Sequence, residues 1–386
     1  MHMDPVMPQA VLAVLLILLT GFTLRIFQQP HVIAYLVAGV VIGPWGIGLI
    51  TDGDVINRLG TMGVVLLLFF VGMETDARKL ASNWKVIVFG TMLQIVLSIG
   101  CVWGIGLLYA WRIERIILIG FVISLSSTAI IIKLLQDKGI IESKVGQSVL
   151  GILLAQDLLI IPMLIILGIF GAESLEPFHM IKQLVGTILA ALLFGFILYK
   201  QAIHLPLSKL LRNDHELQLF AALGVCFGLA FITAWFELST ALGAFLAGML
   251  IGATKETHWF HHTLDSFKVL FVALFFVSVG MMLDIGFLQN NLPMAILLLA
   301  IALITNTFIN ALILKLAQFN WKDSMFAGVL LSEIGEFSFV LAAVGLQSNI
   351  IEEHGYQLAL CVISLSLIVS PLWISLGDKL LQTRAK

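Results

Sequence analysis

The chain has 386 residues, of which 60% are hydrophobic and 11% are charged, and its formal net charge is -2 at pH 7. A soluble domain carries about 25% charged residues, so this composition excludes an ordinary soluble protein and predicts a membrane protein. The small negative net charge also argues against a nucleic-acid partner.

Apolar segments fill nearly the whole chain. A hydrocarbon layer of about 30 Å requires roughly 20 apolar residues in a helix. We therefore predict thirteen membrane-spanning helices, with the limits 5–27, 31–49, 58–75, 84–111, 114–137, 144–170, 178–203, 214–235, 237–254, 265–283, 292–317, 321–347 and 355–379. Cys101, Cys226 and Cys361 all fall inside these segments, which predicts small core residues rather than disulfides or a metal site.

The basic residues predict the orientation of these helices. If the N-terminus lies outside, 17 of the 21 Lys and Arg residues fall on the cytoplasmic side, and Arg58, Arg112, Arg115 and Lys182 fall on the outer side. Basic loops stay in the cytoplasm, so we expect an integral membrane protein with a cytoplasmic C-terminus. A bacterial inner membrane is the expected location. The first apolar segment has full span length and no basic leader, so no cleavable signal peptide is expected.

The second half of the chain repeats the first half about 208 residues later. The sequence YLVAGVVIG at 35–43 returns as AFLAGMLIG at 244–252, and Pro162 returns as Pro371. This predicts one transmembrane transporter domain, with repeat one at about 5–170, a linker helix at about 178–203 and repeat two at about 214–379. With thirteen spans, equivalent helices run in opposite directions, which is typical of secondary transporters with a substrate site near mid-membrane.

Asp157 is the clearest candidate for chemistry. It lies about 13 residues into the span 144–170, or about 20 Å along the helix, and therefore near the middle of the bilayer. A carboxylate at that depth costs at least about 2.5–3.5 kcal/mol and usually marks an ion or proton path. Because burial favours the neutral form, proton and cation would compete for this group. Its neighbour Gln156 offers a carbonyl oxygen that is either a cation ligand or part of a hydrogen bond between helices.

Polar interruptions at matching positions of the two halves predict two broken helices. The sequence SLSSTA at 124–129 interrupts the span 114–137, and SEIGEFS at 332–338, which contains Gly335, interrupts the span 321–347. Broken helices near mid-membrane expose backbone carbonyl and amide groups to a binding site. We therefore expect all-α architecture with two crossed discontinuous helices around a cation site.

Hydroxyl and acidic side chains lie within these interruptions. Ser127 and Thr128 are candidate cation ligands, although hydroxyl groups in membrane helices often bond back to their own helix. Ser126 is expected to support the first break. Glu333 and Glu336 in the second break either balance helix-end charge, line a funnel or bind a proton, and the sequence leaves these alternatives open.

Several other groups are predicted to be structural. The cluster of His258, His261 and His262 beside Asp265 is expected in a solvated loop, with a metal site or a pH sensor as the alternatives. A solvated interfacial ion pair is expected among Glu74, Asp76, Arg78 and Lys79. Close helix crossings are expected at the glycine pairs Gly39/Gly43, Gly248/Gly252, Gly100/Gly104 and Gly224/Gly228.

With Gln156-Asp157, SSTA at 126–129 and GEFSFV at 335–340, the chain resembles the monovalent cation:proton antiporter-2 family. Within that family it is most similar to the membrane domain of Kef-type potassium efflux and potassium/proton antiport systems, over essentially its whole length. The resemblance implies thirteen helices, a homodimer, and an elevator-like cycle in which Asp157 binds cation and proton alternately. Kef-type systems usually carry a cytoplasmic nucleotide-binding regulatory domain after the last helix, and no such domain is expected within these 386 residues.

The resemblance also implies that charges are missing from the site. Electrogenic sodium/proton members have two adjacent aspartates where this chain has Gln156 and Asp157, and many members place a basic residue where this chain has Thr307. One carboxylate then remains. We therefore expect electroneutral exchange of one cation for one proton, with a weak ligand field that favours potassium over sodium.

These observations favour a secondary transporter that exchanges a monovalent cation, most simply potassium, for a proton without a cofactor. The alternative is a gated potassium efflux channel, which would move potassium without proton exchange. An organic-anion symporter and an intramembrane aspartyl protease are disfavoured, because the deep charge is acidic and a single deep aspartate is found. No Walker, HExxH or nucleophile-elbow motif is found, so no enzymatic activity is expected.

Overall fold

A computed structural model describes residues 6–26, 29–74, 84–170, 177–200, 214–254 and 257–381. In this part of the chain the protein forms sixteen helices. They are α1 (Val6–Ile26), α2 (His31–Ile42), α3 (Gly53–Glu74), α4 (Trp84–Leu108), α5 (Ile113–Ser124), α6 (Thr128–Asp137), α7 (Lys144–Phe170), α8 (Pro177–Tyr199), α9 (His215–Trp235), α10 (Thr240–Gly252), α11 (Thr257–Met282), α12 (Ile285–Asn290), α13 (Leu292–Leu316), α14 (Trp321–Leu330), α15 (Phe337–Gln347) and α16 (Glu353–Leu381).

The thirteen predicted segments correspond to these helices, and two of the segments are divided as expected. Residues 125–127 separate α5 from α6, and residues 331–336 separate α14 from α15. The short helix α12 is not predicted from the sequence. Asp284 caps it by accepting a hydrogen bond from the backbone N–H of Phe287 at 2.8 Å, which is a normal N-cap interaction.

Three predicted helix limits are wrong by five residues or more. The helix α3 begins at Gly53 rather than at 58, and at this start the side chain of Asp52 accepts a hydrogen bond from the backbone N–H of Asp54. The helix α2 ends at Ile42 rather than at 49, because Pro44 disfavours helical geometry at the residue before it. The helix α11 begins at Thr257 rather than at 265, because its polar first turns continue the helix beyond the apolar stretch. The backbone of the histidine cluster is therefore helical rather than a loop, and the side chains of His258, His261, His262 and Asp265 lie outside the described part of the structure.

The fold is that of an all-α polytopic membrane protein. Eight of the described helices are long and apolar enough to cross a membrane, and four shorter apolar helices accompany them. Large apolar side chains are exposed on the outer faces, as lipid contact requires, among them Leu108 and Phe231. Cys226 and Cys361 are buried as predicted, but Cys101 is exposed, so its prediction as a core residue is wrong. An apolar membrane helix gives no sign of which face meets lipid.

The chain forms two compact units, and the first contains residues 1–78 and 164–283. In this unit α3 packs against α9, α10 and α11, and α2 packs against α11. The core around α3 includes the fully buried side chains of Phe69 and Phe70. Glu74 at the end of α3 forms an ion pair with Lys268 of α11. The predicted partners Arg78 and Lys79 lie outside the described residues.

Close glycine crossings form in the first unit. A methyl group on Gly43 would lie 2.8 Å from the Cα of Met281, and one on Gly248 would lie 2.8 Å from the amide nitrogen of Met73. These two pairs, Gly39/Gly43 and Gly248/Gly252, therefore let helix backbones meet, as predicted. The prediction is wrong for two other pairs, where no described atom beyond the local helix backbone lies within 4 Å of such a methyl group: Gly100/Gly104 and Gly224/Gly228.

The second unit contains residues 79–163 and 284–386. In it α4 packs against α5 and α13, α13 packs against α14 and α16, and α5 packs against α15. Buried apolar side chains from α6, α7, α14 and α16 share one core, among them Ile131, Leu153, Leu330 and Ile374. The predicted site residues Asp157, Gln156 and both helix breaks all belong to this unit.

Helix limits in the second unit follow the sequence repeat. The helices α4 and α13 begin and end 208 residues apart, and α5 begins 208 residues before α14. Adding 208 to the residue numbers 79–163 gives 287–371, which lies within the other segment of this unit, 284–386. The unit therefore contains equivalent segments of the two halves. The limits of the two repeats and of the linker helix stay predictions.

Candidate functional site

The two unwound segments, residues 125–127 and 331–336, contact each other in the second unit. The backbone N–H of Gly335 donates to the carbonyl oxygen of Leu125 at 2.7 Å, and the hydroxyl of Ser126 donates to the carbonyl oxygen of Leu331 at 2.8 Å. A methyl group on Gly335 would lie 2.6 Å from the carbonyl carbon and oxygen of Ser126. Any larger residue than glycine would therefore push the two segments apart.

Asp157 lies beside the first unwound segment. As a whole residue, Asp157 on α7 is 8% exposed and therefore buried. The hydroxyl of Thr128 lies 3.4 Å and 3.3 Å from its two carboxyl oxygens and donates to them. Thr128 is the first residue of α6, and the N-terminus of a helix favours a nearby negative charge. The structure thus brings the predicted carboxylate and one predicted hydroxyl ligand together.

Ser127 and Thr128 have different surroundings. Ser127 is the N-cap of α6, and its hydroxyl oxygen accepts from the backbone N–H of Ile130 at 3.5 Å. The sequence leaves open, for both residues, that the hydroxyl group bonds to its own helix instead of binding a cation. The structure shows such a bond for Ser127. Thr128 instead faces Asp157. A ligand role for either hydroxyl group stays a prediction.

The amide group of Gln156 is bound to the first unwound segment. Its carbonyl oxygen accepts from the backbone N–H of Ser126 at 3.1 Å, and its nitrogen donates to the carbonyl oxygen of Ser124 at 3.1 Å. The same nitrogen donates to the side-chain oxygen of Gln94 at 2.9 Å. Backbone groups freed by the helix break are therefore satisfied by a side chain, as they must be within a bilayer.

Gln94 is a site residue that the sequence reasoning missed. It is fully buried on α4, and its side-chain nitrogen donates to the carbonyl oxygen of Ser124 at 2.9 Å. Together with its bond to Gln156, this places Gln94 behind the residue that holds the first break. The signal in the sequence is a glutamine within an otherwise apolar span, but its partners come from helices distant in the chain.

The second unwound segment is held in an equivalent way. Asn306 of α13 donates to the carbonyl oxygen of Ser332 at 3.2 Å, and Ser366 of α16 accepts from the backbone N–H of Ile334 at 2.8 Å. A shift of 208 residues relates Ser124 to Ser332 and Ser126 to Ile334, so the same two backbone groups are satisfied in both breaks. At the first break the partner side chains come from α4 and α7, and at the second break they come from the equivalent helices α13 and α16.

Asn306, rather than its neighbour Thr307, reaches the breaks. Asn306 also donates to the carbonyl oxygen of Ile123 at 2.6 Å. The hydroxyl of Thr307 donates to Leu303 of its own helix at 2.7 Å. The part of α13 in which the resemblance implies a missing basic residue therefore presents a neutral amide to the last turn of α5 and to the second unwound segment.

The two acids of the second unwound segment are buried. Glu333 is 0% exposed and Glu336 is 8% exposed. The hydroxyl of Ser338, just after them on α15, donates to the carbonyl oxygen of Val122 on α5 at 2.6 Å. The structure therefore places both acids inside the unit that holds Asp157, which disfavours a role for them at a wide solvated funnel.

Two contacting helix breaks beside a buried carboxylate define the class of ion-coupled secondary transporters. Residues 11–376 match the family described as sodium/hydrogen exchanger, transmembrane. The chain belongs to this family, and the expectation of a cation/proton antiporter family is confirmed.

Similar proteins have been named as transporters of different ions. The chain is 35% identical to the iron transporter MagA of Paramagnetospirillum magneticum, over 96% of this chain and 85% of that protein. It is 31% identical to K(+) efflux antiporter 5 of Arabidopsis thaliana, over 92% of this chain, but it spans only 64% of that protein. Its fold is similar to that of the sodium proton antiporter MjNhaP1 from Methanocaldococcus jannaschii, with a TM-score of 0.64 and 16% identity, covering 97% of this chain and 99% of the other.

Proposed function

We propose that the protein exchanges potassium for protons, one for one, across the membrane. The observation that carries this proposal is the carboxylate of Asp157, which is buried on α7 and accepts from the Thr128 hydroxyl at the N-terminus of α6. Carboxylate and hydroxyl oxygens are suitable ligands for a hard monovalent cation. The carboxylate also accepts a proton, so the same oxygens serve both ions in turn.

Coupling follows from the cost of an uncompensated charge. Asp157 is neutral when it holds a proton, and the complex is neutral when it holds a monovalent cation. An empty and ionised Asp157 resists passage through the apolar barrier, because a bare charge at that depth costs several kcal/mol. The transporter therefore changes its accessible side only when one of the two ions is bound, and this condition links the two fluxes.

The neutral groups around Asp157 favour electroneutral exchange. Gln156 contributes no charge, and both ends of its amide already bind backbone groups of Ser124 and Ser126 at the first helix break. Asn306 and Thr307 of α13 are also uncharged. One carboxylate therefore exchanges one cation for one proton. A single carboxylate gives a weak ligand field, which supports potassium over sodium, and the name of the Arabidopsis relative agrees.

We also propose an elevator-like movement of the second unit in a homodimer, with the N-terminus outside and the C-terminus in the cytoplasm. The location of Asp157, Thr128 and both breaks within one compact unit supports a rigid carrier for the ion. The bias of 17 basic residues against 4 supports the orientation.

The test is proton flux in proteoliposomes that contain the purified protein. Imposed potassium, sodium and iron gradients are compared for the native chain, Asp157→Asn and the control Glu142→Gln, which removes an exposed acid near the start of α7. We expect potassium to drive proton flux in the native chain and the control but not in Asp157→Asn. Potassium flux without proton flux would establish the channel alternative, and a larger response to iron would overturn the proposed substrate.

A further inference from the structure

Glu333 is a fully buried acid without a hydrogen-bonding partner for its charge. It lies in the second unwound segment and is 0% exposed. Neither of its carboxyl oxygens has a hydrogen-bond partner among the described residues. The side chain of Ser370 lies within reach of the carboxyl group but forms no well-aligned hydrogen bond with it, and the acid Glu336 is close enough to repel a negative charge on Glu333.

The nearby backbone donors are already used. The N–H of Ile334 donates to Ser366, and the N–H of Gly335 donates to the carbonyl oxygen of Leu125. These are the amide groups that follow Glu333 directly, and neither one stabilises its carboxyl group. An ionised carboxyl group in this position would be desolvated, would lack donors and would lie close to a second acid, which is the least favourable setting for a charge in a protein.

The hydroxyl of Ser370 offers Glu333 an acceptor rather than a donor. Its hydrogen is directed to the carbonyl oxygen of Leu367 at 3.2 Å, so its oxygen lone pairs remain for a neighbouring donor. A protonated carboxyl group has an O–H to donate, whereas an ionised one accepts only. The polarity of Ser370 therefore matches the neutral form of Glu333.

We propose that Glu333 keeps one proton throughout the transport cycle and donates it in a hydrogen bond towards Ser370 of α16. In this role Glu333 is a positioning residue: it ties the second unwound segment to α16, next to the bond between Ile334 and Ser366. This inference deepens the proposed function and rests on it, because a permanently neutral Glu333 leaves Asp157 as the group that exchanges its proton for a cation.

Infrared spectroscopy tests the protonation state without any transport measurement. We expect the native protein to show a carboxylic-acid C=O stretching band that persists at alkaline pH, where exposed carboxyl groups are ionised. Glu333→Gln should reduce the intensity of this band, and Asp157→Asn should leave it unchanged. A band that disappears between about pH 6 and about pH 9 together with the exchanged proton, or a band of native intensity in Glu333→Gln, would contradict the proposal.

Transport by variants at position 333 tests the positioning role. The amide of Glu333→Gln has the shape and the donor capacity of the neutral acid, so its potassium-driven proton flux should have the pH profile and the proton-to-cation ratio of the native chain. Glu333→Leu, which has no donor, should lose at least about tenfold in flux, while Glu333→Gln restores it.

Two outcomes would overturn the inference. A changed proton-to-cation ratio in Glu333→Gln would show that Glu333 releases its proton in the cycle. Failure of Glu333→Gln to fold, while Glu333→Asp folds, would show that the charge is needed. If the native chain itself shows no cation-driven proton flux, the proposed function fails, and the infrared result still decides the protonation of Glu333.

Discussion

Replacing Gln94 by leucine tests whether a buried side chain on α4 holds the first unwound segment in place. The substitution conserves volume approximately and removes two hydrogen bonds of 2.9 Å, one to the carbonyl oxygen of Ser124 and one from Gln156. Each buried hydrogen bond contributes about 0.5–1.5 kcal/mol. The nitrogen of Gln156 still donates to Ser124 at 3.1 Å, so neither group is left without a partner. The expected loss is about 1–3 kcal/mol.

A matched control is available one turn earlier on α4. Thr91 is also fully buried, but its hydroxyl donates only within its own helix, to Ile87 at 2.9 Å. Thr91→Val should therefore cost less than about 1 kcal/mol. Thermal unfolding of the detergent-solubilised protein and potassium-driven proton flux are measured for both variants. We expect Gln94→Leu to lower both stability and flux, and Thr91→Val to change neither appreciably.

A double-mutant cycle shows whether Gln94 acts through Gln156. The two side chains contact each other, so the effects of Gln94→Leu and Gln156→Leu should not add, with a coupling of about 0.5–3 kcal/mol. Additive effects, or a Gln94→Leu variant that behaves like Thr91→Val, would refute the inference that Gln94 supports the site.

Two further predictions concern a close backbone contact and an ion pair. Gly335→Ala should cost about 1–3 kcal/mol of stability and abolish most proton flux, because its methyl group would lie 2.6 Å from backbone atoms of Ser126. Gly100→Ala, with no described atom beyond the local helix backbone within 4 Å of its methyl group, is the control, and equal behaviour of the two would contradict the close contact. In the turn between α9 and α10, the hydrogen bond from His179 lowers the pKa of Glu237 below its ordinary value of 4.5. A carboxyl group with a lowered pKa stabilises the fold at pH values above its pKa in the unfolded chain, and this stabilisation is lost as the pH falls through its pKa in the folded chain. Glu237→Gln should therefore reduce thermal stability slightly at neutral pH and make no difference in strong acid. A deficit that grows on acidification would contradict this assignment.

The helix breaks and Asp157 could be predicted from the sequence because polar residues stand out in an apolar helix at their own positions. The motif at 124–129 and the glycine and acids at 332–338 mark the unwound segments directly. The repeat strengthened both predictions, since the two motifs occupy equivalent positions.

The partners of the unwound segments could not be predicted, because they depend on which helices meet. Gln94 and Ser366 each satisfy a backbone group in a segment distant from them in the chain. For Gln156 the sequence leaves a ligand role and a structural hydrogen bond open, and the packing of α4, α5 and α7 decides that its amide binds the first break. The exposure of Cys101 was missed for a related reason, since lipid-facing and buried residues are equally apolar.

If a cation and a proton compete for Asp157, cation binding must release a proton. Potassium is added to purified protein in weakly buffered solution, and the protons released and the cations bound are counted together. We expect about one proton released per potassium ion bound by the native chain, and no release from Asp157→Asn. Potassium binding without proton release, or an equal release from Asp157→Asn, would contradict this competition.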